Sequence, residues 1–290
     1  MKKKILITGS TGFIGSNIVK LLIKKNFYIY DILRNKNNKN KKIIKLKNNK
    51  NYFPIFYRKF NELEKKLKKI KIDIVINCAT YYTNKNDIKN IEKIIQTNII
   101  FCSIILEILK NKIKKFINFG SMMEYSHGND FSPKNFYAIS KYSFQKIEEF
   151  YKKNNPKIKF YDLKLYETYG DNDKREKIIP TIIKKHSQNK SINIVSKNLA
   201  MNFVHIKSLM LAIKMIIQNK IQEGEYCVKN KRFIKIKKII DSLNKKLKKK
   251  IKTKYLSSRK FSNYNKKLKN LPHWTDKHNL ENFLLYKLQK

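Results

Sequence analysis

Ile5-Leu6-Ile7-Thr8-Gly9-Ser10-Thr11-Gly12-Phe13-Ile14-Gly15 follows an N-terminal Met and three lysines. The 290-residue chain has only seven glycines, and three of them fall in this stretch. A short apolar run leads in, and an amphipathic stretch from Asn17 to Lys25 leads out. The pattern predicts a strand, a tight turn and a helix N-terminus. Gly9 permits the turn, Gly12 lets the backbone approach a pyrophosphate, and Gly15 lets helix and strand pack closely. The helix start offers unpaired N–H groups and a positive dipole end to phosphates. The spacing is GxxGxxG, a variant of the dinucleotide-binding GxGxxG. Thr11, Phe13 and Ile14 line the same turn and are candidate cofactor contacts with the three glycines. A plain strand-to-helix turn is the competing reading, and the flanking pattern argues against it.

Working outward, apolar runs alternate with amphipathic ones. Strands are predicted at 4–8, 28–33, 72–78, 115–120 and 159–165, with a short one at 43–46. Helices are predicted at 12–25, 61–70, 91–110, 136–154, 178–187 and 208–219. Alternation of this kind predicts an α/β fold: a Rossmann-type doubly wound parallel sheet with helices on both faces. Ligands in such sheets bind outside the C-terminal strand ends. After Gly170 the pattern breaks into short strands and basic loops, which reads as a smaller C-terminal substrate-binding lobe. The expected division is 1–169 for the dinucleotide domain, with 203–228 returning to it, and 170–290 mainly for the lobe.

Lys+Arg total 67 against 21 Asp+Glu, a net charge of +46. Such charge suggests nucleic acid or an anionic membrane. Only five of these residues are arginine (34, 58, 175, 232 and 259), and the lysines are spread among Asn and Ile. A nucleic-acid binder would concentrate Arg with stacking aromatics. The charge should instead attract phosphorylated ligands and make their binding salt-dependent. Cys78, Cys102 and Cys227 show no CxxC spacing and read as buried thiols in a reducing compartment. No apolar run has the length of a membrane span, and the run after the N-terminal lysines is too short for a signal peptide. A cytoplasmic protein is expected. The five histidines show no metal-ligand spacing, so no metal site is expected.

The fourth predicted main strand ends in Gly120-Ser121, and Tyr137-Ala138-Ile139-Ser140-Lys141 follows sixteen residues beyond Ser121. Tyr and Lys at i and i+4 share a helix face. A neighbouring ammonium favours a phenolate, and such a Tyr exchanges a proton with a carbonyl or alcohol oxygen while hydride moves at a nicotinamide. Ser121, at a strand end, is placed to hydrogen-bond the same oxygen. About four YxxxK matches are expected by chance in this composition, and four occur. What selects Tyr137/Lys141 is its place, after Gly120-Ser121 and opening an amphipathic helix.

These residues together resemble the extended short-chain dehydrogenase/reductases, the epimerase/dehydratase family of nucleotide-sugar epimerases, dehydratases and ketoreductases. Thr8 to Gly15 resembles its cofactor loop, and Asn77-Cys78-Ala79-Thr80 the segment passing the nicotinamide ribose. Asn98 matches a helix asparagine, Ser121 the Ser/Thr strand end, and Tyr137 with Lys141 the catalytic pair. Leu165-Tyr166-Glu167-Thr168-Tyr169-Gly170, Ile179-Pro180, Asn202 to Ile206 and Pro272-His273-Trp274 also fit. The stretch from Tyr169 to Arg175, with Phe203-Val204-His205, is most similar to the nucleotide-sugar 4-ketoreductases. The resemblance implies an NAD(P)-dependent enzyme on a nucleotide-sugar substrate, a place in polysaccharide biosynthesis, and a homodimer through helices 91–110 and 136–153. It implies Ser121, Tyr137 and Lys141 as catalytic residues. Cofactor contacts are implied at Cys78, Ala79, Thr80, Asn98, Tyr137 and Lys141.

Some positions depart from the family. Met122 and Met123 stand where dehydratases carry Asp-Glu, so 4,6-dehydratase activity is not expected. Met201 replaces an Arg that grips substrate phosphates, and Lys207-Ser208 replaces an acidic pair; Arg175, Lys207 or Arg259 are the remaining sources of charge. An acidic residue about eighteen positions past Gly15 would bind the ribose hydroxyls of NAD. That position is Leu33, followed by Arg34, which favours a 2′-phosphate and hence NADP. Asp31 should lie inside the strand, and only a slipped register would let it serve NAD. Keto reduction is the expected activity. The alternatives are an epimerase with tightly bound NAD, or a non-catalytic NAD(P)- or RNA-binding protein of the same fold; intact Ser121, Tyr137 and Lys141 argue against the last.

Overall fold

Short runs of Ile, Leu, Val and Phe build the central sheet. Its strands are β1 (Lys4–Thr8), β2 (Tyr28–Leu33), β3 (Tyr52–Phe56), β4 (Ile74–Asn77), β5 (Lys115–Ser121), β6 (Lys159–Leu165) and β11 (Gly224–Val228), in the order β11-β6-β5-β4-β1-β2-β3. β1 pairs parallel with both β2 and β4, β2 with β3, and β4 with β5. The computed structural model describes residues 2–34, 46–126, 131–258 and 268–289. The chain order therefore reverses at β1 and β4, which is the switch point of a doubly wound sheet. The helices between these strands are α1 (Phe13–Lys24), α2 (Phe60–Lys68), α3 (Ile88–Ile94), α4 (Phe101–Leu109) and α5 (Phe136–Asn154). Leu6, Val75, Phe101, Ile105, Leu106, Phe116 and Phe144 are at the centre of a core built from strand and helix faces. Burial of such apolar area is the main favourable term in the fold.

Most elements fall where the periodicity puts them, and three do not. The strand expected over 72–78 is shortened to Ile74–Asn77. β3 is absent from the sequence reading because Pro54 interrupts it. Among the described residues β2 is its only neighbour, and Pro is tolerated on such an edge. The helix expected over 91–110 begins earlier, where the Asp87 side chain caps it by accepting from Asn90 N–H at 3.0 Å. It then passes through a π-helical turn, Ile95–Ile100, before α4. The short strand expected at 43–46 lies, apart from Leu46, outside the described residues.

By contacts the chain separates into two units. The first comprises Met1–Tyr125, Phe131–Lys164 and Gln222–Tyr226; the second is chiefly Leu165–Ile221 and Cys227–Lys290. Of the expected return segment 203–228, only Gln222–Tyr226 lies in the first unit. Among its described residues the second unit has three two-stranded sheets. β7 (Glu167–Tyr169) pairs with β10 (Phe203–His205), β9 (Ala200–Met201) with β12 (Ile234–Lys235), and β8 (Ile192–Ile194) with β13 (Thr253–Tyr255). Its helices are α6 (Ile178–Ser187), α7 (Ile206–Ile217), α8 (Ile236–Lys246) and α9 (Leu280–Leu288). Tyr169, Ile182, Phe203, Ile240, Leu243 and Leu284 belong to its apolar core.

Candidate active site

Parallel strands deliver their C-terminal ends to one edge of the sheet. The turn after β1, the segment after β4 and Ser121 at the end of β5 therefore share that edge. Thr8 fixes the first two to each other. Its Oγ1 donates to Asn77 Oδ1 at 2.7 Å and accepts from the Ala79 N–H at 3.0 Å.

The three glycines have separate reasons. Gly9 has φ +67°, and a Cβ there would lie 2.5 Å from the Cys78 carbonyl oxygen and 2.6 Å from the Ala79 nitrogen. Gly15 packs under the turn, where a Cβ would meet the Gly9 carbonyl itself. Its close contact is thus with the turn, where the sequence suggested strand packing. A Cβ on Gly12 would meet only the Gly9 oxygen, at 3.3 Å. Gly12 is also the N-cap of α1, whose first turn has no side-chain cap and no acidic residue. Thr11 and Gly12 are exposed, and Phe13 and Ile14 half-buried.

Cys78 is half-buried and Ala79 buried beside Gly9, while Thr80 is exposed. Burial pushes the Cys78 thiol up and the Cys102 thiol up to about 11, so both stay protonated. Asn98 sits in the π turn with no exposed surface. Its Oδ1 accepts from Tyr81 N–H at 2.8 Å and from Thr80 Oγ1 at 3.2 Å. Its Nδ2 donates to the Tyr81 carbonyl and to Ser140 Oγ. π turns commonly mark functional positions, because the extra residue re-aims a side chain.

Ser121 closes β5 and caps a short 3₁₀ turn, Met122–Glu124. Its Oγ accepts from Met123 N–H at 3.2 Å, which leaves the hydroxyl hydrogen to donate. Asn135 caps α5 by accepting from Ala138 N–H at 3.0 Å, and this sets the first turn that carries Tyr137. Tyr137 is half-buried, edge-on to Tyr82 with ring centroids 4.9 Å apart. Among the described residues its hydroxyl has no hydrogen-bond partner. Lys141, one turn on, is only 2% exposed, yet its ammonium makes no hydrogen bond or ion pair among the described residues. Its charge acts on Cys78, Cys102 and Glu148. An ammonium with no acceptor among the described residues, on a side chain almost wholly buried and with its charge reaching Cys78 beside Gly9, fits ribose hydroxyls and a pyrophosphate. The residues present thus fit a nicotinamide dinucleotide.

At the end of β2, Asp31 has no exposed surface and lies in register with Ile7 of β1. Its Oδ2 accepts from the Tyr52 hydroxyl at 2.5 Å. This carboxylate lies inside the strand and is buried. Arg34 donates to Thr97 Oγ1 at 2.9 Å and lies over the Phe101 ring.

In the second unit, Arg175 is occupied. It pairs with Asp173 at 2.7 Å and donates to the Thr168 carbonyl, which removes it as a source of charge for substrate. Lys207 remains exposed, and Arg259 and His127 lie outside the described residues. The His205 and His278 rings stack at 4.1 Å. Burial, with His278 beside it, pushes His205 down to about 4. Sequence reasoning missed this pair, and also a buried network of Asn118, Glu124, Glu148, Asp162 and Lys164 in the first unit. The alternation Asp162-x-Lys164 on an otherwise apolar strand was its one sequence signal.

A glycine turn at the switch point, with Ser121 on the same sheet edge and Tyr137 and Lys141 on α5, is the arrangement of a Rossmann-type oxidoreductase. More narrowly, the chain belongs to the NAD dependent epimerase/dehydratase family, whose model matches residues 5–228. It is 32% identical over 225 residues to the CDP-abequose synthase of Yersinia pseudotuberculosis, covering 77% of this chain and 75% of that one. The CDP-abequose synthase of Salmonella muenchen is 26% identical over 84% of this chain and 81% of its own. UDP-glucuronic acid 4-epimerase from Bacillus cereus superposes with a TM-score of 0.83 at 22% identity, covering 99% of this chain and 98% of that one. The protein is an enzyme of this family.

Proposed function

We propose that this enzyme reduces the 4-keto group of a nucleotide-activated sugar, with NADPH as the reductant. The carrying observation is the pair of polar groups one turn apart on α5, the Tyr137 hydroxyl and the Lys141 ammonium, which have no hydrogen-bond partner among the described residues. When bound, the nicotinamide supplies the hydride. Tyr137 gives its phenolic proton to the keto oxygen, and Ser121 donates a hydrogen bond to the same oxygen. Lys141 holds the nicotinamide ribose, and its charge stabilises the phenolate that proton transfer leaves behind. Met122 and Met123 exchange no protons, which supports reduction over 4,6-dehydration. Arg34, with no carboxylate at Leu33, supports the phosphorylated dinucleotide. Two relatives named CDP-abequose synthase make a CDP-linked 4-keto-6-deoxy sugar the first substrate to test.

The reading includes a cytoplasmic homodimer, with α3 to α5 as its interface. Ile88, Ile139 and Phe150 on these helices are exposed apolar side chains, which supports it. The direct test is purified enzyme with NADPH and CDP-, dTDP-, GDP- and UDP-linked 4-ketosugars. Loss of nicotinamide absorbance with one of them supports reduction. Interconversion of 4-epimers without net loss identifies an epimerase, and no turnover with any substrate ends the proposal.

A further inference from the structure

Ser121 does not stand on its strand alone. Its backbone N–H donates to Glu124 Oε1 at 2.7 Å, and Glu124 Oε2 accepts from the Lys164 ammonium at 2.5 Å. Lys164 lies on β6 and also donates to Gln145 Oε1 on α5, at 2.9 Å. Gln145 is one turn beyond Lys141 and two beyond Tyr137. Asp162 at 3.3 Å and Glu225 at 3.5 Å complete the ammonium's surroundings. The Glu124 and Lys164 side chains are both 0% exposed.

Gly120 adds a second observation. A Cβ there would lie 2.6 Å from Lys164 Cδ and 2.8 Å from its Nζ. The residue before Ser121 therefore has no side chain where the Lys164 chain crosses β5. A buried ion pair is a poor stabilising device, since apolar replacement is often neutral or better. A carboxylate spanning from Ser121 to Lys164 has a clearer use in geometry, because catalytic groups must be held to within about 0.5 Å.

We infer that Glu124 and Lys164 are positioning residues, forming a buried ionic strut that fixes Ser121 relative to the α5 turn carrying Tyr137 and Lys141. This rests on the catalytic reading of Ser121 given above. One arm of the strut is the capping box: Ser121 Oγ accepts from Met123 while Glu124 returns to the Ser121 amide. The other runs through Lys164 to Gln145. Asp162 and Glu225 hold the ammonium charged against its burial. Neither Glu124 nor Lys164 needs to touch substrate.

The test compares the full-length wild type with Glu124→Ala, Lys164→Met, Lys164→Arg and the double variant Glu124→Leu/Lys164→Met. The double variant removes Glu124 and Lys164 together but leaves Asp162 and Glu225 without their cation, so Lys164→Arg, which keeps that charge, is the variant expected to fold where the others do not. Turnover and NADPH binding are measured alongside hydrogen exchange of the Ser121 amide. Glu124→Ala, Lys164→Met and the double variant should lower kcat about 100-fold. KM for NADPH should stay within about twofold. Lys164→Arg should recover most of the lost rate. Exchange at Ser121 should rise in Glu124→Ala while exchange in the glycine turn stays unchanged. A double variant with kcat within about threefold of wild type overturns the inference, and so does unchanged exchange at Ser121. If the wild type turns over no nucleotide sugar, the functional proposal fails and the exchange measurement alone decides the strut.

Discussion

Asn98 donates from Nδ2 to Ser140 Oγ at 2.9 Å, and Ser140 Oγ in turn donates to the Tyr137 carbonyl at 2.7 Å. One amide thus joins the segment after β4 to the helix turn that holds Tyr137. All its polar capacity is used, with the Tyr81 N–H and carbonyl as the other main partners. Asn98→Leu takes the partner from the buried Ser140 hydroxyl and from the half-buried Tyr81 N–H and carbonyl, at about 1 kcal/mol each. The variant should lose about 2–4 kcal/mol in urea unfolding and more than about tenfold in kcat/KM. Wild-type values for both would show that the clamp contributes nothing.

The glycine turn makes a sharper prediction, because its members fail differently. Gly9→Ala and Gly15→Ala drive a methyl into backbone atoms, so both should fold poorly or unfold at much lower temperature. Gly12→Ala meets only one oxygen, at 3.3 Å. It should keep a near-native melting temperature and lose NADPH binding, since its methyl occupies the space through which a pyrophosphate approaches. Calorimetry and NADPH titration on the three variants decide this. A Gly12→Ala protein that binds normally would move the pyrophosphate elsewhere.

Much of the fold was legible because it is carried by local periodicity. β1, β2, β6 and α5 fall at the residues where the apolar pattern put them. Within the site, the Gly9, Ser121, Tyr137 and Lys141 positions follow from motif and order. What escaped the sequence depends on pairing between distant segments. β3 contains a proline that only an edge position excuses. The π turn at Asn98 looks like ordinary helix in any local pattern. Glu124 and Lys164 are forty positions apart, and each reads as solvated until β5 and β6 lie side by side.

Asp31 gives the first unit a pH-dependent stability term. Burial pushes its carboxyl up to about 6, against the hydrogen bond from Tyr52. The folded state then binds this proton more tightly than the unfolded chain, whose Asp titrates near ~3.9. The contribution is fully present below pH ~4 and is lost as pH rises through about 6. Asp31→Asn keeps an acceptor for Tyr52 and removes the titration. It should be more stable than wild type at pH 8, by about 3 kcal/mol for a shift of about two units, and near wild type at pH 3.5. Denaturant midpoints at the two pH values test it. An equal difference at both would assign the effect to packing.

Catalysis and cofactor holding should separate on α5. Tyr137→Phe removes only the proton donor, so kcat should fall about 10²–10⁴-fold with NADPH affinity unchanged. Lys141→Met should weaken NADPH binding as well, because the ammonium has no hydrogen-bond or ion-pair partner among the described residues. Titration of NADPH into both variants, with melting curves, checks the pair. Loss of cofactor in Tyr137→Phe would mean that the phenol holds the ribose.

Arg34 is aimed before any ligand arrives. Its guanidinium bonds Thr97 at 2.9 Å and rests over Phe101 at 5.8 Å, yet the residue stays exposed. On the proposed reading this planar cation would receive a 2′-phosphate, and charge-assisted contacts of this type are worth about 1.5–3 kcal/mol. Arg34→Ala should therefore raise the Kd for NADPH about tenfold or more, while that for NADH stays near wild type. The NADPH preference should also shrink as salt rises. Thr97→Val keeps the arginine but releases its aim, so it should lose only part of the preference. If Arg34→Ala weakens both dinucleotides equally, the arginine braces the π turn through Thr97 and the 2′-phosphate has another partner.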